Sequence, residues 1–168
     1  KSILLGLQGK TAEKITLLNS IVRSTPPSAY VNHARYELAV TLIDADKYTE
    51  ALPYLRELID EGKDKSFAPK AWMKTGFIHQ QLNQTSQAIE AYKHVAIDYP
   101  ASEDRMAALD ALKNLYIQSN QPASYTQMLR DNNLPSADSS SIDSTYYAAA
   151  EAQFSNDKWE DARVGFTN

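Results

Sequence analysis

Apolar and polar residues follow one another along this chain with the period of amphipathic α-helices, interrupted by short polar turns. The clearest segment is residues 34–59, where two helical patterns flank a polar turn at residues 44–47. Apolar residues three or four positions apart place one side of a helix against a neighbour. The segment therefore predicts two helices that pack against each other in antiparallel orientation.

The same pattern recurs at a step of 37 residues, which indicates an internal repeat. One column is large and apolar throughout: Leu18, Leu55, Tyr92, Leu129 and Phe166. A second column holds residues that favour turns: Gly9, Asp46, Asn83, Asn120 and Asp157. Small residues recur in both predicted helices of the unit: Ser2, Ala39, Gly76 and Ala150 in the first, and Ala51, Ala88 and Ala162 in the second. Each unit is predicted to be a helix pair that covers its apolar side by stacking on its neighbours.

The unit at 106–130 departs from these columns. Lys113 replaces a small residue, Tyr125 replaces an alanine, and Pro122 enters at the second helix. Residues 130–141, which follow, are rich in Pro, Asn, Asp and Ser, and these residue types favour turns. We expect a short second helix and a loop of about ten residues. This loop is interpreted either as a tolerated surface insertion or as a partner-docking segment or kink.

Composition narrows the function. The formal net charge is −4 and no run of Lys and Arg occurs, so nucleic-acid binding is not expected. No apolar stretch approaches the roughly 18 residues that span a bilayer, so membrane insertion is not expected either. The sequence has no cysteine, which excludes thiol chemistry and disulfides but fits reducing and oxidising compartments equally.

The candidate catalytic residues do not have the spacing of a common active site. Residues 9–11 (Gly-Lys-Thr) end like a phosphate-binding loop, but the earlier glycine and the preceding strand are missing. His33, His79 and His94 lie on separate predicted helices, without the spacing of four that places two imidazoles on one face. The serines at 139–141 have no activating base. The sequence predicts no enzyme, no catalytic residue, no cofactor and no metal site.

The repeat resembles the tetratricopeptide (TPR) family. Trp72, Thr75, Gly76, Ala88, Tyr92 and Pro100 match the spacing of that family's Trp, Leu-Gly, Ala, Phe and Pro positions, with Thr75 where leucine is usual. Further matches are Ala39, Tyr48 and Ala51 in the preceding unit, and Ala150, Trp159, Ala162 and Phe166 in the last. The step of 37 exceeds the family's usual 34. With residues 98–103, this long step is similar to cell-envelope TPR proteins of Gram-negative bacteria, such as outer-membrane assembly lipoproteins and Tol–Pal-associated periplasmic proteins.

The resemblance implies an all-α fold, a right-handed α-solenoid of antiparallel helix pairs with about four units plus a half-unit. We expect one solenoid over residues 1–168, with units at about 1–30 (partial), 31–66, 67–102, 103–142 (the divergent unit) and 143–168 (truncated). Both ends look cut, so we expect a fragment of a longer repeat protein. The resemblance favours the periplasm or cell envelope over the cytoplasm.

In TPR arrays the first helices line a concave surface, and this surface is the predicted partner site. Stepping through the first helices gives Tyr36, Val40, Ile43, Met73, Phe77, Gln80, Asp110, Asn114, Tyr147 and Glu151 as partner-binding residues. Aromatic and Met side chains offer large contact areas to a peptide or helix. The alternative for each residue is packing between neighbouring repeats. The basic and Asn pattern by which chaperone-adaptor TPRs clamp a C-terminal carboxylate is absent from these columns, so such binding is not expected.

The predicted function is a non-enzymatic scaffold that binds a protein or peptide on the concave face. The first alternative is a structural spacer or accessory domain of a longer cell-envelope assembly protein. The second is an enzyme whose active residues lie outside this sequence. The sequence leaves the oligomeric state and the identity of the partner open.

Overall fold

The computed structural model describes residues 2–24, 30–60, 66–135, 139–155 and 162. Over these residues the fold is all-helical, as predicted, and no strand occurs in them. The helices are α1 (Ser2–Val22), α2 (Val31–Ile43), α3 (Tyr48–Asp60), α4 (Ala68–Gln81), α5 (Thr85–Asp98), α6 (Arg105–Gln118), α7 (Pro122–Asp131) and α8 (Ser139–Ser155). Asp157, Trp159 and Phe166 of the predicted columns lie outside the described residues.

The predicted turn column forms the same backbone turn three times. Asp46, Asn83 and Asn120 have φ angles of 58°, 57° and 53°, in the left-handed region. After α2, the N–H of Lys47 donates to the carbonyl of Leu42 at 2.8 Å. The N–H of Asp46 donates to the carbonyl of Ile43 at 2.9 Å. This pair of bonds is the Schellman motif, which satisfies the last carbonyls of a helix. Equivalent pairs close α4 and α6, so the repeat register is confirmed at these turns.

Gly9 is the exception, and the prediction of a turn there is wrong. α1 runs without a break from Ser2 to Val22, through Gly9 and Lys10. Glycine is compatible with a helix interior as well as with a turn, and a continuous α1 keeps the backbone hydrogen bonds that a break at Gly9 would remove.

The described residues form two compact units, Lys1–Ala91 and Tyr92–Asn168, with the boundary inside α5. The prediction of one solenoid with the unit bounds given above is not tested by this division. In the first unit α2 packs between α1 and α3, and α3 also packs against α4.

Small residues are buried where these helices cross, as the columns predict. Ala39 and Ala51 are fully buried in a core with Leu38, Leu55 and Ile78. Ala88 and Gly76 are buried as well.

Two polar links join neighbouring helices at the edge of this core. Arg35 Nε lies 2.7 Å from Glu57 Oε2, which connects α2 to α3. The Tyr54 hydroxyl donates to Asn19 Oδ1 at 3.1 Å, which connects α3 to α1. The three helices are therefore joined by polar contacts as well as by the apolar core.

In the second unit α6 packs against α7 and α8, and these two helices also contact each other. Tyr125, which replaces the repeat's alanine, is 3% exposed, and its ring centroid lies 6.0 Å from that of Tyr116. α7 has 10 residues, which confirms the short second helix. Pro122 is its first residue, where a missing N–H breaks no helical bond.

The predicted loop at residues 131–142 does not extend as far as expected. α7 ends at Asp131 and α8 begins at Ser139, so residues 139–142 are helical. Serine is among the residues favoured at helix N-termini, so the serine run begins a helix instead of extending the loop.

Candidate functional site

The predicted partner residues of the first unit lie on α2 and α4, two helices that contact each other. Tyr36, Val40, Met73 and Gln80 are half-buried, and Phe77 is 38% exposed. The Phe77 ring meets that of Tyr48 edge-on, with centroids 6.4 Å apart and planes at 74°. These residues form a partly exposed surface of aromatic, aliphatic and thioether groups, here called the first-helix face.

Ile43 is placed differently from the others. It is 8% exposed and belongs to the core cluster with Leu42 and Ala51. For this residue the structure therefore gives the packing arrangement that the sequence left open. Tyr36 is both packed and partly accessible. Its ring centroid lies 5.7 Å from that of Phe67, and part of the side chain remains exposed to solvent.

The predicted residues of the second unit lie on α6 and α8, which pack against each other. Asp110, Asn114, Tyr147 and Glu151 are all exposed, Tyr147 by 56%. Two of the four are carboxylates, so this surface is more acidic and more polar than the first-helix face. Whether it binds a partner remains a prediction.

Burial changes the acidity of two tyrosines. Desolvation raises the pKa of Tyr92 to about 12. Desolvation, aided by the nearby carboxylate of Asp110, raises the pKa of Tyr125 to about 12. The cause differs for Tyr48, whose pKa is raised chiefly by the hydrogen bond that its hydroxyl donates to Asp46 Oδ1 at 2.8 Å. These shifts keep the phenols neutral, which favours packing over acid–base chemistry.

The histidines make local contacts on separate helices. His79 Nδ1 lies 2.6 Å from Gln84 Oε1, and His94 Nδ1 lies 2.6 Å from Asp98 Oδ2. His33 contacts the Phe67 ring edge-on at 6.0 Å. Within the described parts of the chain, no three His, Asp or Glu side chains come close enough to hold a metal ion. No helix in those parts has the length and apolar character needed to cross a bilayer.

A groove between α3 and α4 was missed by the sequence reasoning. Its volume is about 520 Å³, within the range of ligand pockets. Leu52, Pro53 and Ile59 of α3 line it together with Trp72 and Thr75 of α4. The signal for it was in the sequence, because Thr75 replaces the leucine that the family resemblance leads one to expect.

A second depression, of about 570 Å³, lies in the second unit. Tyr116 and Met128 line it with mostly polar neighbours, among them Gln127 and Asp131. It therefore offers less apolar surface to a ligand than the α3–α4 groove does.

Three features indicate the same helical repeat: the recurring turns, the buried small residues and the spacing from Trp72 to Pro100. Residues 70–102 match the family model of the tetratricopeptide repeat. The match covers one repeat and supports the resemblance of this chain to the tetratricopeptide family. None of the curated proteins matches the sequence significantly.

Solved tetratricopeptide structures show the same fold over nearly the whole chain. A tetratricopeptide repeat protein from Parabacteroides merdae superposes with a TM-score of 0.64 at 16% identity, over 99% of this chain. This chain spans 62% of that protein's length. A putative kinesin light chain from Podosopora anserina with nearly identical TPR-like repeats gives a TM-score of 0.57 at 18% identity, over 96% of this chain and 85% of the other. A further structure of that protein gives 0.55 at 17% identity, over 96% and 86%. At these identities the likeness shows the TPR-like fold.

Proposed function

We propose that this chain is a protein-binding scaffold that holds a peptide or helix of a partner protein on the first-helix face of α2 and α4. Proteins of the tetratricopeptide kind are generally non-catalytic scaffolds that bind protein partners, and the fold supports that class of function. The observation that carries the location is Phe77. It exposes 38% of its surface, and its edge-on contact with Tyr48 holds the ring in a defined position. A preordered aromatic group loses little conformational entropy on binding.

The chemistry of the face indicates its partner. Tyr36, Val40 and Met73 add partly exposed apolar area on α2 and α4, and Gln80 adds an amide that both donates and accepts hydrogen bonds. An amphipathic segment with two or three apolar anchors on one side would match this composition.

The test uses defined peptides. Random 15-residue peptides are selected by display against the chain, and the affinity of each selected peptide is measured by isothermal titration calorimetry. Phe77→Ala is expected to weaken binding at least 10-fold, as for a central aromatic anchor. Tyr30→Ala is the matched control, because Tyr30 is an exposed aromatic residue (73%) that lies outside the first-helix face. If no selected peptide loses affinity for the Phe77→Ala variant, this location is refuted.

The cell envelope is proposed as the context, on the resemblance of the 37-residue step and residues 98–103 to envelope TPR proteins. The spacer or accessory-domain role is the alternative function within such an assembly. Fractionation of cells that express the natural gene with a C-terminal tag tests the compartment. Recovery of the tagged protein only from the cytoplasm would rule the envelope out.

A further inference from the structure

Two apolar residues of the repeat are replaced by polar ones at the α3–α4 groove. Thr75 and His79 face it from α4. One step of 37 earlier, the same positions hold Leu38 and Leu42, which are 0% and 3% exposed. One step later they hold buried residues again, Leu112 and Tyr116. At these two positions the groove is lined by polar side chains, where the neighbouring repeats bury leucine or tyrosine.

The polar atoms of these two replacements are engaged locally. Thr75 Oγ1 donates to the Ala71 carbonyl within α4 at 2.9 Å, and His79 Nδ1 pairs with Gln84 at 2.6 Å. The remaining walls are largely apolar, with Leu52 and Ile59 opposite Trp72. The groove therefore offers an apolar floor to a bulky side chain.

Charged groups at the groove restrict what binds there. Arg56 and Asp60 are exposed lining residues one helical turn apart on α3, and no ion pair joins them within the described part of the chain. An occupant that matches both needs an anionic group for Arg56 and hydrogen-bond donors for Asp60. A lipid chain offers no donor to Asp60, and a phosphate backbone is repelled by it. A peptide supplies all three features: an apolar side chain, an acidic neighbour and backbone N–H groups.

We propose that the α3–α4 groove is a second binding site, which takes an extended peptide segment of a partner protein with an aromatic or large aliphatic side chain next to an acidic residue. The site is distinct from the first-helix face. With 100° per residue, Trp72, Thr75 and His79 lie roughly 130° around α4 from the side that bears Met73, Phe77 and Gln80. It therefore does not depend on the function proposed for that face.

The test starts from a random peptide library displayed against the chain, and binding of each selected peptide is followed by fluorescence anisotropy. The double variant Thr75→Leu/His79→Leu restores the residues of the preceding repeat, narrows the groove at position 75 and removes both polar side chains from its α4 wall. We expect it to weaken the selected peptides at least 10-fold while the midpoint of thermal unfolding stays the same or rises. The selected sequences are expected to share an aromatic or large aliphatic residue beside Asp or Glu.

Charge variants test the second feature and stay informative if the double variant fails to fold. Arg56→Glu is expected to weaken binding at least 5-fold, because it reverses the charge that faces the acidic residue of the peptide. Arg56→Lys keeps the charge and is expected to retain most of the binding. Because Arg56 is exposed and outside the core, both variants are expected to fold. Phe77→Ala is the control on the other side of α4 and is expected to leave the affinity unchanged.

Several results would overturn the proposal. These are a selection that yields no peptide, a set of selected peptides that all bind the double variant as tightly as the wild type, and a set of selected peptides that all require Phe77. Self-association that disappears in the double variant would assign the groove to a second copy of the chain. Binding of anionic phospholipid vesicles that disappears there would assign it to a membrane surface. If no selected peptide depends on Phe77 but some lose affinity for the double variant, the function proposed for the first-helix face is refuted and the groove site stands.

Discussion

Replacing Gly9 by alanine distinguishes the observed helix from the turn that the repeat register predicts at that position. Gly9 lies in the interior of α1, and a Cβ built on it meets no atom within 4 Å. No overpacking therefore opposes the change. A glycine inside a helix is less stable than alanine by about 0.5–1 kcal/mol, so Gly9→Ala is expected to stabilise the chain by that amount. For a chain of this size, the midpoint of unfolding would rise by about 1–4 °C.

The measurement is urea and thermal unfolding followed by circular dichroism at 222 nm. α1 contributes Ile15, Leu18 and Val22 to the core of the first unit, so a change in α1 is transmitted to the unfolding of that unit. Asn83→Ala is the matched control, because the same alanine is placed there at a φ of 57°. Asparagine tolerates this left-handed region better than alanine, for which the conformation costs up to about 1–2 kcal/mol, so the control is expected to be destabilised by less than that amount.

A loss of stability in Gly9→Ala similar to that in Asn83→Ala would contradict the continuous helix. It would mean that Gly9 adopts a positive φ and that the chain turns there. An unchanged Asn83→Ala variant would instead show that the turns between helices are not under conformational constraint.

Three further changes test the packing. Ala88→Leu is expected to destabilise the chain by about 1–3 kcal/mol in urea unfolding, because Ala88 is fully buried and a larger side chain overpacks its surroundings; a neutral result would contradict the tight helix crossing. Trp72→Ala is expected to lower the free energy of unfolding by about 1.5–2.5 kcal/mol, roughly half the loss for a fully buried tryptophan. The loss is smaller because Trp72 is half-buried beside an open groove. A loss of about 4 kcal/mol would mean that the groove is closed in solution. Because the native pKa of Tyr92 and Tyr125 is raised to about 12, their stabilising contribution is complete below about pH 10 and is lost as the pH rises from about 10 to 12. Absorbance at 295 nm should then show tyrosines that titrate near pH 12 in the native chain and near about 10 in urea, and a single titration near 10 in both would speak against these burial shifts.

The sequence predicted the fold where local chemistry and packing require the same residue. Asp46, Asn83 and Asn120 are residue types that accept a positive φ, and each lies where a helix must end, so the repeat could be read from them. Ala39 and Ala51 could likewise be predicted, because only small residues allow two helices to approach closely.

The predictions were wrong where the residue type in a column is compatible with two structures. Glycine is compatible with a turn and with a helix, so Gly9 alone does not decide between them. The serine run at 139–141 posed the same ambiguity, because serine is common both in loops and at the first turn of a helix.

The candidate sites were harder to predict because exposure depends on neighbours that the repeat columns do not specify. Phe77 and Ile43 are both apolar residues in first helices, yet one is accessible and the other is buried in the core. The groove was missed because its walls come from two helices, α3 and α4, and the replacement at Thr75 alone does not show which residues lie opposite it.

The recurring closure of α2, α4 and α6 has a consequence for how such a chain lengthens. Each closure is made by bonds between residues three and five positions apart, so it depends on no distant part of the molecule. A duplicated stretch of 37 residues would bring its own closure with it and join the array in phase. Growth by gene duplication, or by deliberate insertion of one more hairpin in the connection that follows α5, therefore leaves the closures of the existing helices unaltered.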